Sequence, residues 1–224
     1  MNGILYLVST PIGNLEDITY RAVKVLNEVD LIAAEDTRHT RILLNHYQIQ
    51  KPITSYHDFN KYIKGKELLI ELQSGKKIAM VTDAGTPGIS DPGYFLINLA
   101  IESGIPVIPI PGPTALIAAI STSGLPTDSF LFLGFLPRKT IARQNKLHTL
   151  AELECTLVFY ESPFRIAGLL QDIHTVFGNR RIVIARELTK KFEEIIRGTV
   201  SEIITDTAHK TWKGEIVVVL EGKK

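Results

Sequence analysis

Two rhythms of apolar and polar positions alternate along this chain. Short apolar runs at residues 4–8, 31–34 and 78–82 are of the kind buried on both faces of a sheet. Between them, residues 21–29, 37–47 and 60–73 carry apolar side chains at helical spacing. In the last of these, Leu68, Leu69 and Leu72 share one face, while Lys61, Lys64 and Glu71 can point outward. Gly75 and Gly104 stand where helices must stop just before strands. The alternation predicts an α/β chain whose first sheet is largely parallel and covered by helices.

The pattern breaks at Thr122-Ser123-Gly124-Leu125-Pro126-Thr127, a turn-rich stretch that reads as a linker. The predicted organisation is an N-terminal α/β domain over 1–121, a linker over 122–129 and a C-terminal α/β domain over 130–224. In the second domain, strands are predicted at 130–134, 156–160, 181–186, 194–199 and 215–221, with helices at 140–151 and 164–177. The last three strands lie close together in sequence, so the second sheet is expected to be mixed or partly antiparallel.

Composition narrows the class. In 224 residues, 45% are apolar and 22% charged, which fits a globular chain and not a disordered or fibrous one. The 25 basic and 24 acidic side chains nearly cancel, so any nucleic-acid contact must come from local patches. The N-terminal run lacks the basic start of a signal peptide, and the longest apolar stretch, 105–120, is broken by four prolines. A single cysteine, Cys155, excludes an internal disulfide and suits a reducing compartment. The expected location is cytoplasmic, with no membrane contact. The histidines are scattered; His39 and His46 could share a helix face but lack further ligands, so no metal site is expected.

The chemistry concentrates in two loops. Thr82-Asp83-Ala84-Gly85-Thr86-Pro87-Gly88-Ile89-Ser90-Asp91-Pro92-Gly93 follows directly on an apolar strand. It is longer than a strand-to-helix connection needs, stiffened by prolines and stripped of bulk where a ligand could approach the backbone. It leaves the carboxyl end of a strand, where open α/β sheets bind ligands. Pro109-Ile110-Pro111-Gly112-Pro113-Thr114-Ala115 repeats the device after the next strand, with Pro113 suited to a first helical turn. Each loop alone is compatible with a purely structural role; together they point to a shared crevice.

These loops resemble the cofactor loops of the tetrapyrrole-methylase fold, the class III methyltransferases. More narrowly, the chain resembles the bacterial ribosomal RNA small-subunit methyltransferase I family. The shared motifs run nearly end to end: Ser9-Thr10-Pro11-Ile12-Gly13-Asn14-Leu15-Glu16-Asp17-Ile18, Ala34-Glu35-Asp36-Thr37-Arg38-His39-Thr40, both loops above, and Gly134-Phe135-Leu136-Pro137-Arg138-Lys139. Glu161-Ser162-Pro163-Phe164-Arg165, Arg186-Glu187-Leu188-Thr189-Lys190 and Gly214-Glu215 follow. Phe164 stands where the family often has histidine, and many relatives extend past the position of Lys224.

The resemblance implies a two-domain fold with the cofactor cleft between a mostly parallel N-terminal sheet and a mixed C-terminal sheet. It implies S-adenosylmethionine as cofactor, held by Pro11, Asp83, Ala84, Gly85, Ile89, Ser90, Thr114, Ala115, Tyr160, Arg186 and Leu188. The implied reaction is 2′-O-methylation of a cytidine ribose in 16S rRNA, on free rRNA or an assembled small ribosomal subunit, by a homodimer. A hydroxyl nucleophile gains from a general base, and Glu35, Asp36 and Glu161 are the candidates. For Asp36, an N-cap ahead of Thr37 is the competing role. Arg38, Arg41, Arg165 and Lys190, together with Lys139, Arg143 and Lys146 at i, i+4 and i+7, are candidate RNA contacts. The rivals are a methylase of another substrate, such as a tetrapyrrole, and a non-catalytic RNA-binding or ribosome-assembly module. Against a polycarboxylated tetrapyrrole, the exit of the first strand carries two carboxylates, Glu16 and Asp17, where that family usually has a glycine-rich turn.

Overall fold

A computed structural model describes residues 3–223. The chain divides into two compact units, Met1–Thr114 and Ala115–Lys224. The helix Ala115–Ser123 opens the second unit, and the expected linker stretch overlaps its end.

In the first unit, five strands, β1 (Ile4–Val8), β2 (Leu31–Ala34), β3 (Ile53–Ser55), β4 (Lys77–Val81) and β5 (Val107–Ile110), form one sheet in the order β3-β2-β4-β1-β5. Every pairing is parallel, as expected. The period of two is visible in the core. Val8, Ile32, Ala34, Ala79 and Val81 pack with the helices α1 (Tyr20–Glu28) and α2 (Thr37–His46). Their neighbours Leu5, Ala33, Ile78 and Met80 pack with α3 (Lys61–Gln73) and α4 (Tyr94–Glu102). Both faces are thus covered, which explains why these strands read as unbroken apolar runs. The connection leaving β1 runs toward the β3 edge, and that leaving β4 runs toward the β5 edge. Such a reversal marks where open sheets bind ligands.

The second unit begins with α5 (Ala115–Ser123), which packs on its sheet of β6 (Phe130–Phe135), β7 (Thr156–Glu161), β8 (Arg181–Arg186), β9 (Glu194–Thr199) and β10 (Ile216–Leu220). The order is β6-β7-β10-β8-β9. Only β6 and β7 are parallel; β10 runs against both β7 and β8, and β9 against β8, so the sheet is mixed as expected. Helices α6 (Thr140–His148), α7 (Ile166–Phe177) and α8 (Val200–Asp206) cover it through Leu147, Leu169, Ile173, Val200 and Ile203.

Two elements escaped the sequence pattern. β3 has three half-buried residues at a sheet edge and no apolar run. Helix α8 is short and follows β9 directly, but Thr199 and Glu202 form the capping box that announces it. Among the described residues, no helix is long and apolar enough to cross a membrane.

Candidate functional site

The carboxyl ends of β1, β4 and β5 are stitched into one surface. Thr10 and Gly85 exchange backbone hydrogen bonds at 2.9 and 3.0 Å, forming an isolated antiparallel bridge between the β1 exit and the β4 loop. The Thr10 hydroxyl donates to the Thr82 carbonyl at 3.1 Å, and the Ser9 and Thr86 hydroxyls meet at 2.9 Å. Thr86 also donates to the Pro113 carbonyl at 3.4 Å, tying in the β5 exit. The apposition of these loops depends on glycine. A Cβ on Gly112 would lie 2.9 Å from the Ser9 Cβ. Gly85 has φ +86°, with its nearest outside neighbour, Ile12 Cγ2, 3.5 Å from a built Cβ. At Gly85 it is the backbone conformation, more than the space, that selects glycine.

The structure therefore brings Pro11, Asp83, Ala84 and Gly85 together, with Ile89 and Ser90 exposed farther along the same loop. Ser90 has φ +64°, an uncommon conformation for a side-chain-bearing residue. Thr82 Oγ1 is buried at the β4 exit without a hydrogen-bond partner. Ser9, Thr10 and Thr86, which pin the loops, were not singled out from sequence; a pair of hydroxyls at the β1 exit and one beside Gly85 were the available signal.

The β2 exit supplies the carboxylates, and their surroundings differ. Asp36 caps α2: its Oδ1 accepts from the Arg38 amide at 2.8 Å and from Arg38 Nε at 3.2 Å, while Oδ2 takes Arg38 Nη2 at 2.7 Å. The Arg38 guanidinium and the amides hold this carboxyl well below the usual carboxylate range. As a base Asp36 is weak; the capping role is the one its contacts express. Asp83 points back to this exit, accepting the Asp36 amide at 3.0 Å. Glu35 is half-buried, with only the Asp83 amide on its carboxylate, at 3.4 Å. Burial pushes its proton affinity up; the Asp83 amide pulls it back, and the nearby carboxylates of Asp83 and Asp58 add to the rise against a smaller pull from His57.

In the second unit, the Tyr160 hydroxyl accepts from the Leu116 amide at 3.2 Å, and its ring meets Phe132 and Phe135 edge-on. Glu161 is fully buried. It accepts from the Ser162 amide at 2.8 Å and from Arg165 at 3.1 Å, and burial raises its proton affinity. Arg165 also donates to the carbonyls of Leu136 and Pro137 at 2.8 and 3.3 Å. Its guanidinium is thus engaged in holding the β6 and β7 ends together.

The expected cationic face on α6 does not form. Lys139 is the cap before the helix and is exposed, as is Lys146, but Arg143 lies on the buried stripe with Leu147. There Arg143 grips Asp172 at 2.5 Å, with Gln144 donating to the other carboxylate oxygen at 2.7 Å. Lys190 is bound by Glu187 and Glu215 at 2.9 and 3.0 Å, and Arg186 by Glu194 at 3.0 Å. Leu188 is buried between Glu187 and Thr189, both at positive φ. Arg38 and Arg41 remain exposed on α2. Among the described residues, no group of three or more His, Cys, Asp or Glu side chains is placed to share a metal ion.

A parallel sheet with glycine-proline loops at its strand exits, followed by a mixed-sheet unit, is the arrangement that the resemblance to methylases implied. The profile of the Tetrapyrrole (Corrin/Porphyrin) Methylases matches residues 4–204, and the chain belongs to that family. Within it, the chain is 54% identical over 221 residues to a Synechocystis protein named Ribosomal RNA small subunit methyltransferase I, spanning 98% of this chain and 79% of that one. A protein of the same name from Halalkalibacterium halodurans is 52% identical over 220 residues, spanning 98% of this chain and 76% of the other. These likenesses place the chain in the ribosomal RNA small subunit methyltransferase I family. The fold is shared with the uroporphyrin-III C-methyltransferase of Thermus thermophilus, solved with S-adenyl homocysteine. That structure superposes with a TM-score of 0.67 at 18% identity, covering 99% of this chain and 98% of the other. Membership of the methylase family bears out the expected methyl transfer with S-adenosylmethionine as donor.

Proposed function

We propose that this chain methylates the 2′-oxygen of a cytidine ribose in small-subunit rRNA, with the methyl donor held on the β1, β4 and β5 exits. The observation that carries the RNA reading is the near-complete match, at about half identity, to relatives whose shared name is an rRNA methyltransferase. The site is compatible with it. Gly85 and Gly112 let the three strand exits lie close against one another, forming the surface on which the donor would rest. A sulfonium donor supplies an electrophilic methyl group and leaves as a neutral thioether.

The chain's own contribution is to orient and to take a proton. Of the three carboxylates, Asp36 is too well stabilised as an anion and Glu161 is sealed by Arg165. Glu35 is half-exposed and has raised proton affinity. We assign it the proton of the attacking hydroxyl: the O–H bond breaks toward Glu35 as the oxygen bonds to the methyl carbon and the carbon–sulfur bond breaks. The enzyme would act as a homodimer, with Arg38 and Arg41 among the residues facing phosphate.

The test is a competition with radiolabelled S-adenosylmethionine among uroporphyrinogen, free 16S rRNA and small subunits lacking the modification. Label is expected in an RNA-containing substrate. Label in the tetrapyrrole alone would transfer the assignment to that substrate class, and label in none would favour a non-catalytic binding module.

A further inference from the structure

The β3 exit takes no part in the machinery described so far, yet it borders Glu35. Ala34 pairs with Ser55, and the Tyr56 amide donates to the Ala34 carbonyl at 2.7 Å, so the chain leaves β2 and β3 side by side. His57 lies within electrostatic reach of Glu35, and its Nδ1 is buried with no hydrogen-bond partner.

The turn after β3 is rigidly made. Asn60 Oδ1 accepts from the His57 amide at 2.9 Å, and the Asn60 amide donates to the His57 carbonyl at 3.0 Å. Asn60 Nδ2 donates to the Ser55 carbonyl and hydroxyl at 3.2 and 3.3 Å. Below it, Tyr56 is buried, and its hydroxyl accepts from the Leu96 amide at 3.1 Å. On this locked turn Phe59 is 100% exposed, its ring edge-on to His57 at 6.1 Å between centroids. Tyr62 is also exposed, with Lys61 Nζ 5.6 Å from its ring centroid.

Single exposed apolar side chains are ordinary. An aromatic ring held out by a pre-ordered turn, one strand from a carboxylate of raised proton affinity, is a more particular arrangement. Ordering such a ring on binding costs little, because its backbone is already fixed. Helix α2, which packs near β3, carries exposed Arg41, and Lys61 at the start of α3 is paired with Asp58 of the turn at 3.0 Å. Aromatic rings next to cations suit unpaired nucleotides, whose bases offer a π-face and whose linkages carry negative charge.

We propose that the His57–Asn60 turn is the acceptor-nucleotide subsite, with Phe59 as a stacking platform for an unpaired base of the RNA substrate. The inference rests on the RNA reading above and adds that the substrate is recognised unpaired. The subsite holds the base, and the ribose of the same or an adjacent nucleotide faces Glu35.

The experiment measures fluorescence anisotropy of a labelled single-stranded RNA, and of the same strand in a duplex, on the full chain and on F59A and F59W. Loss of one stacked base should weaken single-strand binding in F59A by about five- to 150-fold. F59W should retain it, and duplex binding should change little. S-adenosylhomocysteine affinity, measured by calorimetry, should be unchanged in both variants, which also verifies folding at this exposed position. The salt slope of binding should be the same in F59A, because stacking releases no counterions. Wild-type affinity in F59A would overturn the subsite while leaving the RNA assignment intact. A wild-type protein that binds S-adenosylhomocysteine but neither binds nor methylates RNA would overturn the function reading, and the subsite with it.

Discussion

Arg165→Ala separates a structural cation from a nucleic-acid contact. Its guanidinium meets Glu161 at 3.1 Å, and the Glu161 side chain is fully buried. Removing one partner of a buried pair typically costs 3–5 kcal/mol, because the other charge is left uncompensated. Here Glu161 keeps the Ser162 amide and can take up a proton, so the lower end, about 3 kcal/mol, is expected. The sign of the pH dependence follows from burial, which already raises the proton affinity of Glu161. Without Arg165 that affinity rises further. Between the unfolded and folded values, the unfolded chain is ionised and the folded chain is not. Stability is then fully present below the unfolded value and lost as pH rises through the folded one, by up to about 1.4 kcal/mol per pH unit. Urea unfolding between pH 5 and pH 8 should show the gap between wild type and Arg165→Ala widening with pH. The double variant Glu161→Gln/Arg165→Ala should recover much of the loss and abolish the widening. A pH-independent gap, or a double variant no more stable than the single, would refute the argument.

Other consequences are independent of that pair. Gly85→Ala forces a side chain into the left-handed region at a cost of about 1–2 kcal/mol. Calorimetry with S-adenosylhomocysteine should show roughly tenfold weaker binding, and Gly85→Val should bind more weakly still; normal binding would make the loop structural only. Arg143→Ala strips a partner from buried Asp172 and should destabilise by about 3–5 kcal/mol in urea. Lys139→Ala and Lys146→Ala should stay within about 0.5 kcal/mol of wild type, and equal effects at all three positions would contradict the burial of Arg143. Glu35 as base must be ionised, so kcat/KM should fall on the acid side around a value raised from that of a free glutamate. Glu35→Gln should remove that limb and lower the rate by roughly 10²–10⁴-fold, without loss of stability at neutral pH; an unchanged acid limb would exclude it.

The strands buried on both faces were legible because their neighbours on either side are equally apolar. Ile78, Ala79, Met80 and Val81 face alternate layers, yet all read as hydrophobic. The glycine-proline loops were legible because positive φ at Gly85 and Gly88 demands their composition. What the sequence hid was direction and partnership. Arg143 looks like any surface arginine until Asp172, 29 positions away, is brought beside it. Lys190 likewise finds Glu215 only through the fold. Asp36 and Glu35 are adjacent in sequence and carry the same charge, but one caps a helix and the other meets a single long hydrogen bond. Only three-dimensional surroundings distinguish a stabilised anion from a usable base. β3 and the turn after it were invisible because three residues at a sheet edge make no periodic signal.

On the proposed function, the methyl group goes to a ribose oxygen of small-subunit rRNA. This is tested most directly by incubating small subunits from cells lacking the modification with the purified chain and S-adenosylmethionine, then hydrolysing the rRNA in alkali and identifying the product by mass spectrometry. A methylated 2′-oxygen cannot attack its neighbouring phosphate, so the modified cytidine should survive as an alkali-resistant dinucleotide carrying one methyl on the sugar. A methyl group found on a base, on protein or nowhere in the subunit would contradict the account.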